Sequence, residues 1–231
     1  MRGSNILPTL PNSSWKLYTE NISAGEQHGR DLVAERAVWD VRVTRTAIVL
    51  GSRQDETLLN IDQCRRSDVD VVRRRSGGGI VFLAPGEHVW LDVVIPHGDV
   101  LWSDDVARAS WWLGDVWVQT LHSLGMNDVS VHRKSLNSDA WGDLLCFAGV
   151  GPGEVVQQRD ETFGKVVGIS QRRTRDYARF QCTIYMKWNP HDVEQYLVTM
   201  PGNVGEIAHR VAAVQASQQA MVDTFVSHLP L

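Results

Sequence analysis

The sequence predicts an α+β fold built on a mainly antiparallel sheet, and three observations carry that expectation. Short runs of β-branched and aromatic residues recur along the chain, bounded by glycine, proline and asparagine. They do not alternate with helices in regular βαβ order, which argues against a parallel sheet. Helical spacing is confined to a few stretches, the clearest near residues 104–124. No repeat, low-complexity tract or Pro/Ser-rich linker interrupts the chain, so residues 1–231 are expected to form a single domain.

Taken in order, Ser23 and Glu26 have capping-box spacing and predict a helix from there to about Trp39. Thr46–Leu50 reads as a buried strand stopped by Gly51-Ser52. Residues 55–66 predict a short helix with Leu58, Leu59 and Ile61 inward. Strands follow at Val69–Arg74, Ile80–Leu83 and His88–Ile95, with Pro85-Gly86 as a turn. From Asp104 to Leu124, Val106, Leu113, Val116, Trp117 and Leu121 recur at three- and four-residue steps, and Gly125 stands at the stop position. Asp104 and Asp105 would suit that helix's first turn. Val129–Val131, Leu144–Phe147, Glu154–Gln158, Lys165–Ser170 and Phe180–Met186 alternate like strands, and Val204 to about His228 reads as a last helix.

Composition narrows the function classes. The chain of 231 residues has a net charge of −4 and a pI near 6.0, which argues against nucleic acid as the main partner. Arginines nevertheless cluster at Arg73–Arg75 and at Arg172, Arg173 and Arg175, a pattern suited to an anionic ligand or an acidic protein partner. Cys64, Cys146 and Cys182 are too few and too widely spaced for a disulfide framework or a cysteine zinc site. No paired histidine spacing indicates a metal, and no apolar run is long enough to span a membrane. The N-terminus does not resemble a signal peptide, so a cytoplasmic protein is expected.

Three places could carry chemistry. In Arg73-Arg74-Arg75-Ser76-Gly77-Gly78-Gly79, bare backbone N–H groups lie beside guanidiniums, which suits a carboxylate, phosphate or acyl carbonyl. The same glycines also suit a tight hairpin, and neither P-loop nor dinucleotide spacing is present. Cys146 closes an apolar run before a glycine-rich turn, where a cysteine is either a rigidly held nucleophile or a small buried hydrophobe. Lys165, in Gly164–Arg173, falls by strict alternation on the Val167/Ile169 face; there it must reach water or serve a site. His88, His132 and Glu87 have no distinguishing spacing, and Cys64 and Cys182 read as packing.

Together these segments resemble one family. Arg73–Gly79 resembles the R-R-x-[ST]-G-G-G signature of the lipoate–protein ligase and octanoyltransferase catalytic domain, and Gly164–Arg173 resembles its G-K-[KV]-x-x-G-x-[AS]-[QY]-R segment. Cys146-Phe147 falls where octanoyltransferases place a nucleophilic cysteine, and Ala47–Gln54 is similar to the preceding strand and turn. The resemblance covers residues from about 45 to 190. It implies the α+β catalytic-domain fold shared with biotin protein ligases. It also implies an enzyme that acylates one lysine of a lipoyl domain or of the glycine-cleavage H protein. Cys146 and Lys165 would be catalytic, Lys165 stabilising the oxyanion. Arg73, Arg74, Ser76, Gly77, Gly78, Gly79, Gly168 and Ser170 would bind substrate.

The resemblance divides into branches. Lipoate ligases consume ATP with magnesium, carry asparagine near the position of Cys146, and often have an added C-terminal domain. Octanoyltransferases take the acyl group from acyl carrier protein or an octanoylated protein through an acyl-cysteine, with no tightly bound cofactor and no metal. Cys146 and Gly168–Arg173 favour the second branch, particularly its amidotransferases; a noncatalytic lipoate- or biotin-binding protein is the remaining alternative. The chain departs from the pattern in two places. Leu83-Ala84 stand where many relatives have His-Asp, and Pro85-Gly86-Glu87 resembles the P-G-Q turn of a third, lipoyl-synthesis transferase branch. The Cys146–Lys165 interval is also long, extended at Gln157–Phe163, and a one-residue shift of register there would turn Lys165 away.

Overall fold

The computed structural model describes residues 5–6, 14–159 and 162–231. The short β1 (Asn5–Ile6) pairs antiparallel with β2 (Lys16–Ile22). Helix α1 (Ala24–Gly29) has the expected capping box, with Ser23 accepting from the Glu26 N–H and the Glu26 carboxylate accepting from the Ser23 N–H. It then stops, and the predicted helix to Trp39 is replaced by β3 (Ala37–Val43), parallel to β2. Trp39 and the β-branched Val38, Val41 and Val43 are buried there, so tertiary burial decides the segment.

Strand β4 (Ala47–Leu50) is buried along its whole length, as its unbroken apolar run requires. The predicted helix over residues 55–66 is split at Leu59-Asn60 into a 3₁₀ turn (Glu56–Leu58) and α2 (Ile61–Arg66), because Asp55 and Asn60 each cap a separate start. Strands β5 (Asp70–Arg73), β6 (Val81–Leu83) and β7 (His88–Pro96) follow close to their predicted positions. Helix α3 (Trp111–Ser123) begins later than expected. Asp104 accepts from the Trp102 indole N–H, and Asp105 accepts from the Ala107 N–H, so both serve turns instead of a helix dipole.

After β8 (Val129–Val131), residues 144–147 are not the predicted strand. They end α4 (Ala140–Leu144) and enter a 3₁₀ turn (Cys146–Ala148), with Asp139 capping α4 through the Gly142 N–H. Strands β9 (Val155–Arg159), β10 (Thr162–Arg173) and β11 (Tyr177–Tyr185) complete the sheet. The short α5 (His191–Glu194) precedes the C-terminal region. The predicted last helix divides in two: a 3₁₀ segment (Val204–Arg210) capped by Asn203, and α6 (Gln218–Ser227) capped by Ser217. Between them Val211 forms a bridge beside Lys165, and backbone used that way cannot also be helical.

The described strands form an eight-stranded sheet in the order β1-β2-β3-β7-β11-β10-β9-β8, antiparallel except for β2/β3, and a small sheet β5-β4-β6. Along β7, Val89, Leu91, Val93 and Ile95 enter the core with α3 and α6, where Trp117 and Phe225 have ring centroids 4.3 Å apart. Trp90 and Val94 face the other way and meet Ala47, Val49 and Leu83 of the small sheet. One face of the large sheet is thus closed by helices. The other faces the small sheet, and the space between them is the site. No helix among the described residues is long and apolar enough to cross a membrane.

Candidate active site

The glycine loop is shaped by close approach. Gly78 has φ +96°, a left-handed conformation that glycine adopts without strain. A Cβ on Gly51 would stand 1.9 Å from the Gly78 carbonyl oxygen, and one on Gly79 would stand 2.7 Å from the Cys146 N atom. No side chain fits at either position, so the two turns and the cysteine backbone lie directly against one another. Backbone bonds fix the contact: Ile80 donates to Leu144 O (2.7 Å) and Cys146 donates to Ile80 O (2.9 Å). Gln54 adds a side-chain tie, accepting from the Gly51 N–H and donating to the carbonyls of Asp143 and Leu144.

Arg74 is the internal brace of this loop. It is 4% exposed, and its guanidinium donates to the carbonyls of Val49, Gly77 and Gly79. Arg73 points elsewhere: its guanidinium is exposed and donates to the Gln54 carbonyl, and it does not line the cavity. Ser76 and Ser170 meet through their hydroxyls at 3.2 Å.

Cys146 Sγ lies 4.0 Å from Lys165 Nζ. Lys165 is 1% exposed, and its ammonium donates to both carboxylate oxygens of Glu154, at 3.0 and 2.9 Å. Glu154, 5% exposed, also accepts from the N–H groups of Gly151 (2.6 Å) and Ile169 (3.1 Å). The Phe147 ring centroid lies 5.0 Å from Nζ, and a Cβ on Gly168 would be 3.0 Å from that ring. The turn carrying Cys146 is held from outside by Arg210, which pairs with Asp139 and donates to Ala148 O. Hydrogen bonds from Arg210 pull the Asp139 carboxyl down to about 2.

Strict alternation puts Lys165 on the face opposite Gly168 and Ser170, and the structure corrects that. Lys165 pairs with Val156 of β9, whereas Val167 pairs with Val155, so a β-bulge lies between them. Consecutive Val166 and Val167 both enter the helix-side core, and the phase of β10 changes by one. Lys165 therefore shares the site with Gly168. The added length toward Phe163 is absorbed in the β9–β10 hairpin, where Thr162 pairs with Arg159 and Phe163 with Gln158.

These groups line a cavity of about 510 Å³, inside the usual range of about 300–1,000 Å³ for small-ligand sites. Cys146, Lys165, Glu154 and the glycine loop form one part, with Val49, Val81, Leu83 and Trp90 as an apolar wall. His28 and Gln181 also line it, and the Gln181 amide donates to His28 Nδ1 (3.3 Å). Burial, helped by the guanidiniums of Arg179 and Arg74, pulls His28 down to about 4 against the attraction of Asp92. Among the described residues no group of three His, Cys, Asp or Glu side chains is placed to hold a metal.

The structure thus gathers Cys146, Lys165, Arg74, Ser76, Gly77, Gly78, Gly79, Gly168 and Ser170 at one cavity and leaves Arg73 outside it. Sequence reasoning missed Glu154, Phe147, Gln54 and His28. Glu154 looked like the start of a strand, and only its position opposite a buried lysine gives it meaning. His28 was hidden in a helix predicted to be longer.

A cysteine, a buried lysine and a glycine loop thus share one part-apolar cavity. The family model of the lipoyl protein ligase A/B catalytic domain matches residues 25–227, and the chain belongs to that family. The fold is similar to a bipartite lipoate protein ligase of Thermoplasma acidophilum, described with its E2 lipoyl domain. That match has a TM-score of 0.67 at 14% identity, covering 92% of this chain and 80% of the other. It is also similar to a lipoate-protein ligase A bound with ATP, with a TM-score of 0.63 at 16% identity and coverage of 87% and 72%. No curated protein matches the chain. The protein therefore has the α+β fold of lipoate ligases and is an enzyme of the kind that attaches lipoate-like groups to proteins.

Proposed function

We propose that the protein transfers an octanoyl or lipoyl group to a lysine of a lipoyl domain or glycine-cleavage H protein through an acyl-Cys146 intermediate. The observation that carries this reading is the 4.0 Å approach of Cys146 Sγ to a buried ammonium beside the glycine loop. The Cys146 thiolate attacks the carbonyl carbon of an octanoyl thioester on a carrier. As negative charge gathers on the carbonyl oxygen, the Lys165 ammonium donates to it. The carbon–sulfur bond to the carrier breaks, and the carrier thiolate leaves and takes a proton. An uncharged acceptor lysine then attacks the Cys146 thioester, and the amide forms as the enzyme's sulfur departs with the electron pair and takes the proton lost by the lysine nitrogen. The apolar wall of Val49, Val81, Leu83 and Trp90 suits a hydrocarbon chain. A lipoyl-domain acceptor is supported by the archaeal relative described with its E2 lipoyl domain. The whole of residues 1–231 would act as one cytoplasmic catalytic domain.

A second reading, an ATP-dependent lipoate ligase, is favoured by the solved relatives, one of them bound with ATP. Against it, two arginines suited to holding a nucleotide phosphate are engaged elsewhere: Arg74 by three backbone carbonyls, and Arg73 by Gln54 outside the cavity. Incubation with octanoyl-acyl carrier protein and a lipoyl domain, with and without ATP, separates the two. The transferase reading expects ATP-independent acylation and an octanoyl mass on Cys146. Acylation that requires ATP and survives Cys146→Ser would sink it.

A further inference from the structure

The site contains a hazard of its own making. It is proposed to hold an acyl thioester on Cys146 for delivery to a lysine amine, yet the lysine closest to that sulfur is Lys165, 4.0 Å away. An uncharged Lys165 would be an intramolecular nucleophile, and such groups react with very high effective concentrations. The resulting amide would not be released, and each event would inactivate one enzyme molecule. Lys165 is 1% exposed.

Glu154 answers the hazard. Both of its oxygens accept from Nζ, and it is itself fixed by the N–H groups of Gly151, in the loop before β9, and of Ile169, on β10. Around Nζ the contacts are therefore this carboxylate, the Cys146 sulfur and the Phe147 face. Resting on the acyl-Cys146 reading, we propose that Glu154 is a positioning residue that engages the Lys165 nitrogen through two hydrogen bonds and aims it as a donor, so that the enzyme does not acylate itself. Without the carboxylate, the Lys165 lone pair attacks the thioester carbonyl and the carbon–sulfur bond breaks. The nitrogen's proton passes to the departing Cys146 sulfur, leaving an octanoyl amide on Lys165.

The test loads wild type, Glu154→Gln and Glu154→Asp with octanoyl-acyl carrier protein in the absence of acceptor, then maps the octanoyl mass before and after hydroxylamine. Wild type is expected to carry all of it on Cys146, removable by hydroxylamine. Glu154→Gln is expected to shift more than half of it to Lys165, where hydroxylamine leaves it, and to lose at least tenfold in acceptor acylation. Glu154→Asp draws the carboxylate back by one methylene from Nζ, and is expected to show the same migration more slowly; it decides the matter should the glutamine variant not fold. A structural role alone would lower loading without moving the label. A hydroxylamine-sensitive label confined to Cys146 in the folded variants overturns the inference and leaves the transferase reading intact. No label on wild-type Cys146 overturns both.

Discussion

Two buried ion pairs sit on the same face of the large sheet and differ in what surrounds them. Arg179 and Asp92 are 2% and 0% exposed at their side chains, and Lys165 and Glu154 are 2% and 7%, so burial does not separate them. Their remaining partners do. Arg179 also donates to the Gln27 and Arg30 carbonyls, and Asp92 accepts from Gln27 and the Trp90 indole, so that network is closed and ties α1 to the sheet. Lys165 has the cysteine sulfur and the Phe147 ring as its remaining neighbours, in a cavity able to admit a substrate. A buried charge whose bonds all go to protein holds structure, while one whose bonds stop at a cavity is available for chemistry.

The comparison can be broken most sharply at Cys146. Cys146→Ala is expected to lower acyl transfer by roughly three orders of magnitude or more while leaving the unfolding midpoint nearly unchanged, as read by lipoyl-domain mass and urea unfolding. Next come the two pairs. Lys165→Met and Arg179→Met each leave a buried carboxylate without its cation and are expected to cost about 3–5 kcal/mol in urea unfolding. Transfer per folded molecule should fall by roughly a hundredfold or more in Lys165→Met alone, and equal losses in both variants would erase the distinction.

Acid sharpens it further, because the closed network has a histidine beside it. The His28 and Trp90 rings lie 4.8 Å apart, and burial lowers both His28 and His88 to about 4. Both are near 6.5 when unfolded, so between about pH 6.5 and 4 the unfolded chain binds protons that the folded one refuses. Stability is therefore full above that window and declines as pH falls through it, by on the order of 3 kcal/mol per histidine at the lower end. His28→Gln should flatten the slope of urea-unfolding stability against pH; an unchanged slope would show that His28 does not carry it. The smallest effect is expected at Arg73→Ala, within about 0.5 kcal/mol of wild type and within a few-fold in transfer rate. A large loss in transfer would return Arg73 to the substrate.

Much of the strand pattern was legible because alternating or continuous apolar runs are local: β4, β7 and β11 lie close to where their residues place them. The helices were less legible. Ser23 correctly announces α1, but nothing local says that Ala37–Val43 will be buried between β2 and β7. The same limit explains Cys146, whose apolar run suggested a strand although Asp139 caps a helix before it.

By itself the sequence determined which side chains could do chemistry: a glycine loop, a cysteine and a lysine, each with recognisable neighbours. Tertiary structure decided how they meet. The bulge between Lys165 and Val167 lies where β10 pairs with β9 and where Lys165 also bridges to the distant Val211, and it sets the direction of the ammonium. Glu154 acquired its partners the same way, since they depend on which backbone N–H groups and which cation the fold brings to it.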